Sequence, residues 1–214
     1  MKKARYICFE GTEGVGKTTH TQKLVDHLRS KGYSVLQTKE PGTPLSPLTM
    51  QLRGIMLDKQ YDEELTPQAR ELVSQAIRSI HMEKVVRPAM SQYDFIIQDR
   101  GTLSGLSYGK ACGNEESDLM YLATYATNHN PLELYDSIIY LKGDVSRGLS
   151  KAKAAKQEFK AGDAMEARGV SFLEKARANM DEMSTWYPSA AILVDGKSIE
   201  EVFQEILNAL DIEK

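Results

Sequence analysis

Five short apolar runs, each bounded by Gly, Pro, Asp or Ser, alternate along the chain with longer stretches of helical periodicity. The runs cover residues 6–10, 34–38, 94–98, 137–141 and 191–194. Runs this short and this apolar predict strands buried on both faces, and their alternation with helices predicts βα units around a parallel sheet. Helices are expected over 17–31 and over 67–86, the second with Thr66 as N-cap and Pro67 at its first position. Ser198 with Glu201 forms a capping box for a last helix. The expected fold class is α/β: a three-layer, doubly wound sheet of roughly five parallel strands with helices on both faces. With 214 residues and no repeat or long linker, one domain over 1–214 is the natural expectation.

One segment breaks the pattern. Residues 146–169 are rich in Lys, Ala, Glu and Gly and hold few large apolar side chains. By composition this reads as a solvated helical hairpin. The alternative is a cationic lid inserted in the domain, which requires a phosphate site beneath it.

Such a site is written at the end of the first strand. Gly11-Thr12-Glu13-Gly14-Val15-Gly16-Lys17-Thr18 fits GxxxxGK(S/T), with an apolar strand before it and a helical pattern after it. In that setting backbone N–H groups and a helix N-terminus converge on an anion. The loop with Thr19 forms the expected ATP site, Lys17 bridging the β- and γ-phosphates and Thr18 offering a hydroxyl to Mg²⁺. Asp99, after the apolar run 95–97, is the expected acidic partner of that metal, and Arg100 beside it can grip a second phosphate as a fork. The chain then has the parts of a P-loop NTPase fold.

Charge narrows the partners. A net charge of −3 and a pI near 5.9 exclude broad cationic contact with nucleic acid and favour small anionic nucleotides held in a local positive pocket. Cys8 and Cys112 form neither a disulfide framework nor a CxxC pair, which fits a reducing cytoplasm. The N-terminal apolar run is too short for a signal-peptide core and no stretch is long enough to span a bilayer, so no membrane association is expected.

Over most of its length the sequence resembles the thymidylate kinases. FEGTEGVGKTT is similar to the bacterial members' loop, TKEPGTPLSPLTMQLRGIMLD to their Arg-Glu-Pro-Gly-Gly-Thr stretch and following helix, and ELVSQAIRSIHMEKVVRPAM to the helix bearing a base-reading arginine. QDRGTLSGLSY resembles the Asp-Arg-Tyr motif with its downstream Ser and Tyr, and DAMEARGVSFLEKAR the elements that close the lid. The resemblance implies transfer of the ATP γ-phosphate to dTMP or a related pyrimidine deoxynucleotide. Catalytic roles would fall to Lys17, Arg100, Asp99 and Glu13. The acceptor would be held by Glu13 at the sugar hydroxyl or metal shell, Arg53 and Arg100 at the phosphate, Arg78 at the base edge, Ser104 beside the base and Tyr108 under the deoxyribose. Glu40, Pro41, Ser74 and Gly105 complete that pocket. A homodimer built through the helix containing Arg78 is also implied.

Several positions depart from the family pattern. Ser74 stands where relatives usually stack a Phe on thymine, Gly101 replaces the Tyr of Asp-Arg-Tyr, and Gly105 replaces a frequent polar residue. The lid carries Lys151, Lys153, Lys156 and Lys160 in place of arginines, with Arg147 and Arg168 at its margins. Arg147 is the lid residue expected on ATP. A broadened base pocket, and so a kinase of another deoxynucleotide or deoxynucleoside, is the first alternative. A non-catalytic P-loop nucleotide-binding module is the second. A GTPase-like switch lacks its Asn-Lys-x-Asp and DxxG motifs.

Overall fold

The computed structural model describes residues 3–155 and 163–212, apart from the side chains of Lys153 and Ala155. All five expected strands form: β1 (Arg5–Glu10), β2 (Val35–Lys39), β3 (Phe95–Asp99), β4 (Ser137–Lys142) and β5 (Ser189–Leu193). They make one parallel sheet in the order β2-β3-β1-β4-β5. Phe9 pairs with Asp99, so the carboxyl ends of β1 and β3 lie side by side. From there one chain turns toward β2 and the other toward β4, which opens a crevice at the switch point.

Successive residues of each strand feed two cores, because side chains alternate across a pleated sheet. Ile7, Phe9, Ile97, Ile139 and Leu141 pack on one side against α1 (Lys17–Ser30) and α10 (Ile199–Ala209). Tyr6, Cys8, Ile96 and Ile138 pack on the other side against α5 (Thr102–Ala111), α6 (Glu116–Thr127) and α9 (Gly169–Met183). Each large side chain buried this way contributes about 1.5–3 kcal/mol, enough to make the sheet a rigid base for the loops at its end.

Caps fall where the residues dictate. Thr66 Oγ1 accepts from Ala69 N at 3.1 Å and opens α3 (Pro67–His81), and the reciprocal Ser198–Glu201 box opens α10. The helix expected over 67–86 continues past α3 as a π-helical turn, Met82–Val86, into α4 (Arg87–Ala89). Before α3, α2 (Pro47–Leu57) covers the cleft from the side.

Composition misled over residues 146–155 and 163–169. α7 (Val145–Ala155) buries Val145 and Leu149 against Leu173, and Asp163 with the short α8 (Ala164–Ala167) is buried through Glu166. These described stretches are not wholly solvated, since the small Ala164, which a search for large apolar residues overlooks, is buried beside Met165 against Met56, Leu57 and Ile77. Lys156 and Lys160 lie outside the described residues. No described helix is long and apolar enough to cross a membrane.

Candidate active site

Residues 11–16 curl at the end of β1 with positive φ at Gly11, Gly14 and Gly16. Gly14 has a second reason to be glycine: a Cβ there would strike the carbonyl oxygen of Gly148, and a Cβ on Gly148 would strike that of Glu13. Two bare backbones thus let α7 sit directly on the phosphate loop. Lys17 begins α1, and its Nζ donates back to the Thr12 carbonyl at 2.5 Å. Burial, and then the charge of Arg100, lower its pKa to about 8 against the pull of Asp99, Glu13 and Glu10. Thr18 Oγ1 donates to Asp99 Oδ2 at 2.6 Å, so the expected metal pair is together.

Arg100 is the strained residue of the site. Its φ of 65° is left-handed, a conformation that costs a non-glycine residue about 1–3 kcal/mol. Its N–H bonds to the Phe9 carbonyl at 2.8 Å, which fixes the turn. The guanidinium then reaches Gly11 O at 3.0 Å, Ser104 Oγ at 3.1 Å and Glu13 Oε1 at 2.6 Å. Tyr108 donates to the other Glu13 oxygen at 2.6 Å. Burial alone would raise the Glu13 carboxyl, but Arg100, Lys17 and the Tyr108 hydroxyl outweigh it and hold the pKa low. Glu13 is therefore an anion between two groups that can also face a ligand.

Below this layer, sequence reasoning missed Glu10. Fully buried, its carboxylate accepts from Gly101 N at 2.9 Å, from Ser104 N at 3.1 Å and from the Ser104 hydroxyl, pinning the start of α5 under Arg100. A carboxylate closing an apolar strand was the available signal.

A third layer surrounds Arg78. Its Nε donates to Glu40 Oε2 at 3.0 Å, Nη1 to Gln75 Oε1 at 3.0 Å and Nη2 to the Gly101 carbonyl at 3.3 Å. The His81 ring bridges Glu40 Oε1 at 3.0 Å and Thr38 Oγ1 at 2.8 Å. Glu40 thus orients Arg78 rather than standing free. Arg53 Nη1 donates to the Pro41 carbonyl at 3.0 Å, and both line the same cleft. A Cβ on Gly101 would collide with the Tyr135 hydroxyl, so this buried ring occupies the space beside the motif's third residue.

These layers wall one cleft of about 470 Å³. Its phosphate end holds Glu13, Lys17, Thr18, Asp99 and Arg100, with Tyr108 against Glu13 and Arg100; Ser74, Arg78 and Gly105 line the rest. Across the loop lies a second cleft of about 260 Å³, lined by Gly14, Val15, Gly16 and Thr19. Arg147 belongs to this second cleft, paired with Asp195, and Lys151 lies beside it. Thr12 contributes its carbonyl to Lys17, and the Val15 side chain points into the core. Gly148, Asp195 and the pair Glu71–Gln75 had no motif to announce them. Spacing could have found Glu71, since a residue seven before Arg78 shares its helix face.

A strand–loop–helix phosphate cradle between two clefts, one of them lined with guanidinium groups, defines a P-loop nucleotide-binding protein built to bring two ligands together. The family model for thymidylate kinase matches residues 9–206. Similar chains include the thymidylate kinase of Acinetobacter baylyi, 32% identical over 206 residues, covering 94% of this chain and 96% of that one. That of Nostoc punctiforme is 32% identical over 95% of both chains, and that of Geotalea daltonii 33% identical over 89% and 88%. The chain belongs to the thymidylate kinase family.

Proposed function

We propose that this protein transfers the γ-phosphate of ATP to dTMP, giving the diphosphate. The observation that carries this reading is the Arg100 cluster: a strained arginine aimed into the larger cleft next to Lys17 and Asp99. ATP enters from the smaller cleft, which Arg147, Lys151 and Lys197 line, and lays its phosphates along 11–18. dTMP enters the larger one. Phosphoryl transfer needs alignment and positive charge more than covalent chemistry. Lys17 holds the transferring group, Arg100 and Arg53 hold the acceptor phosphate, Arg78 meets the base edge, and the Tyr108 ring closes the sugar site. Glu13 keeps Arg100 and Tyr108 aimed and accepts from the sugar hydroxyl.

The all-oxygen pair Thr18–Asp99 fits a hard divalent cation such as Mg²⁺, which would neutralise phosphate charge there. Among the described residues no cluster of three His, Cys, Asp or Glu could hold a metal alone, which suits an ion whose other ligands are phosphate and water. The whole chain acts as one kinase domain in the cytoplasm, with 146–169 as its lid. Two homodimer helices are proposed: α3 and α6 pack together and expose Leu72, Tyr121 and Tyr125, which are 57%, 70% and 79% accessible. Light scattering should return twice the 24.0 kDa chain mass; the monomer mass at micromolar concentration would refute the dimer.

A panel of deoxynucleoside monophosphates in a coupled ADP assay tests the activity. ADP release is expected with dTMP and absent without a monophosphate. Release that ignores the acceptor would leave a simple ATPase, and no release with any monophosphate a binding module. The small side chain of Ser74 supports the second reading, a tolerant base pocket. Comparable kcat/KM for dTMP and a second deoxynucleotide would establish it, and exclusive use of dTMP would dismiss it.

A further inference from the structure

We propose that Glu71 reads the acceptor base alongside Arg78, as a hydrogen-bond donor that selects bases carrying a carbonyl at the edge facing it. This rests on the reading that the larger cleft takes a pyrimidine monophosphate. Glu71 and Arg78 line that cleft from one face of α3, two helical turns apart. Gln75 lies between them with both ends committed: its carbonyl accepts from Arg78 Nη1 at 3.0 Å and its amide donates to Glu71 Oε1 at 2.6 Å. Glu71 Oε2 makes no hydrogen bond among the described residues. The opposite helix makes room for this arrangement. A Cβ on Gly105 of α5 would come within 2.5 Å of Arg78 Nη2, and a Cβ on Gly109, one turn further on, within 3.0 Å of Glu71 Oε2.

The state of the carboxyl follows from its surroundings. Only 6% exposed, Glu71 has its pKa raised by burial, with the Gln75 amide and the Arg78 charge opposing incompletely. Among the described residues, the titratable groups around it offer no spare cation. Arg78 is bound to Glu40 and Arg70 to Asp62, burial raises the pKa of the Cys112 thiol at the end of α5, and Tyr108 is tied to Glu13. Asp163, before α8, is a further acid lining the cleft, and α6 contributes Leu119. A protonated Glu71 accepts from Gln75 on Oε1 and keeps its proton on Oε2. A neutral acid and a guanidinium then both donate toward the ligand. A 4-oxo pyrimidine answers both, whereas the amino group of cytosine sets donor against donor.

The test is the ratio of kcat/KM for dTMP over dCMP, which cancels the ionisation of the phosphate common to both. Glu71→Ala is expected to lower this ratio about tenfold, chiefly through the KM of dTMP. Glu71→Gln, which keeps a donor, should stay within about threefold of wild type. In the wild type the ratio should fall as pH rises and Glu71 ionises, because the carboxylate accepts instead of donating, and in Glu71→Gln it should be flat. An unchanged ratio in a folded Glu71→Ala protein overturns the inference. If that variant does not fold, a pH-independent wild-type ratio overturns it instead. Failure of the wild type to phosphorylate dTMP, dUMP or dCMP removes the parent reading and this one with it; brisk dTMP turnover with a ratio indifferent to residue 71 removes this one alone.

Discussion

Lys17→Ala is expected to lower turnover of ATP and dTMP about a thousandfold or more while the protein stays folded. The Lys17 ammonium sits at the N-terminus of α1, nearly inaccessible, 2.5 Å from the Thr12 carbonyl and flanked by Arg100. In the absence of a triphosphate this is a poor place for a cation. Burial and the neighbouring guanidinium bring its pKa to about 8, so the charged form is held at the expense of stability and gains its compensation when phosphate arrives. Alanine removes that burden, and the melting temperature of the ligand-free variant should match or exceed that of the wild type. The sign of the pH effect follows from the same value. Only the protonated amine binds phosphate well, so kcat/KM for ATP should fall as pH rises through about 8, and that limb should be absent from the variant's residual activity. Wild-type turnover by Lys17→Ala would defeat the mechanism, and a variant that melts far below the wild type would show that the residue is structural.

Local rules in this sequence pointed to elements and to the phosphate loop, while tertiary accommodation stayed out of reach. The five strands, the Thr66 cap and the Ser198–Glu201 box follow from patterns a few residues long, and each formed within a residue or three of its expected place. The pairing of Thr18 with Asp99 was also readable, because Thr18 stands in the first turn of the helix that follows β1 and Asp99 ends β3, its parallel neighbour. α5 was not. It is buried nearly all round, from Thr102 to Ala111, and so carries no apolar stripe against a polar one. The left-handed turn at Arg100 had no local signal either, since arginine is a poor residue for it and it is held there by the Phe9 carbonyl, the Gln98 amide, and Gly11, Ser104 and Glu13 around the guanidinium. Glu40 lines the cleft as expected, but the direction its carboxylate takes was not legible. The motif suggested a group facing the ligand, and the fold turns its carboxylate inward to Arg78 and His81.

That inward turn makes Glu40 the residue whose loss should cost the fold most. Removing one partner of a buried ion pair leaves the other charge unanswered, at about 3–5 kcal/mol. Glu40→Ala would strand Arg78, 3% exposed, and deprive the His81 ring of its partner at 3.0 Å. For a chain of this length that is a fall of about 10 °C in the melting temperature, accompanied by a higher KM for the acceptor because Arg78 loses its orientation. The acid dependence separates charge from packing. Burial alone would raise the Glu40 pKa, yet Arg78 and the His81 hydrogen bond override it and bring the carboxyl from 4.5 to about 2. A carboxyl with a depressed folded pKa contributes its stability above the unfolded value and loses it as pH falls toward the folded one. The stability gap between wild type and Glu40→Gln should therefore be full near neutrality and close progressively from about pH 4.5 to 2. Denaturant melts at several pH values measure that gap, and one that stayed constant through the acid range would mean that the carboxylate's charge does not hold Arg78 in place.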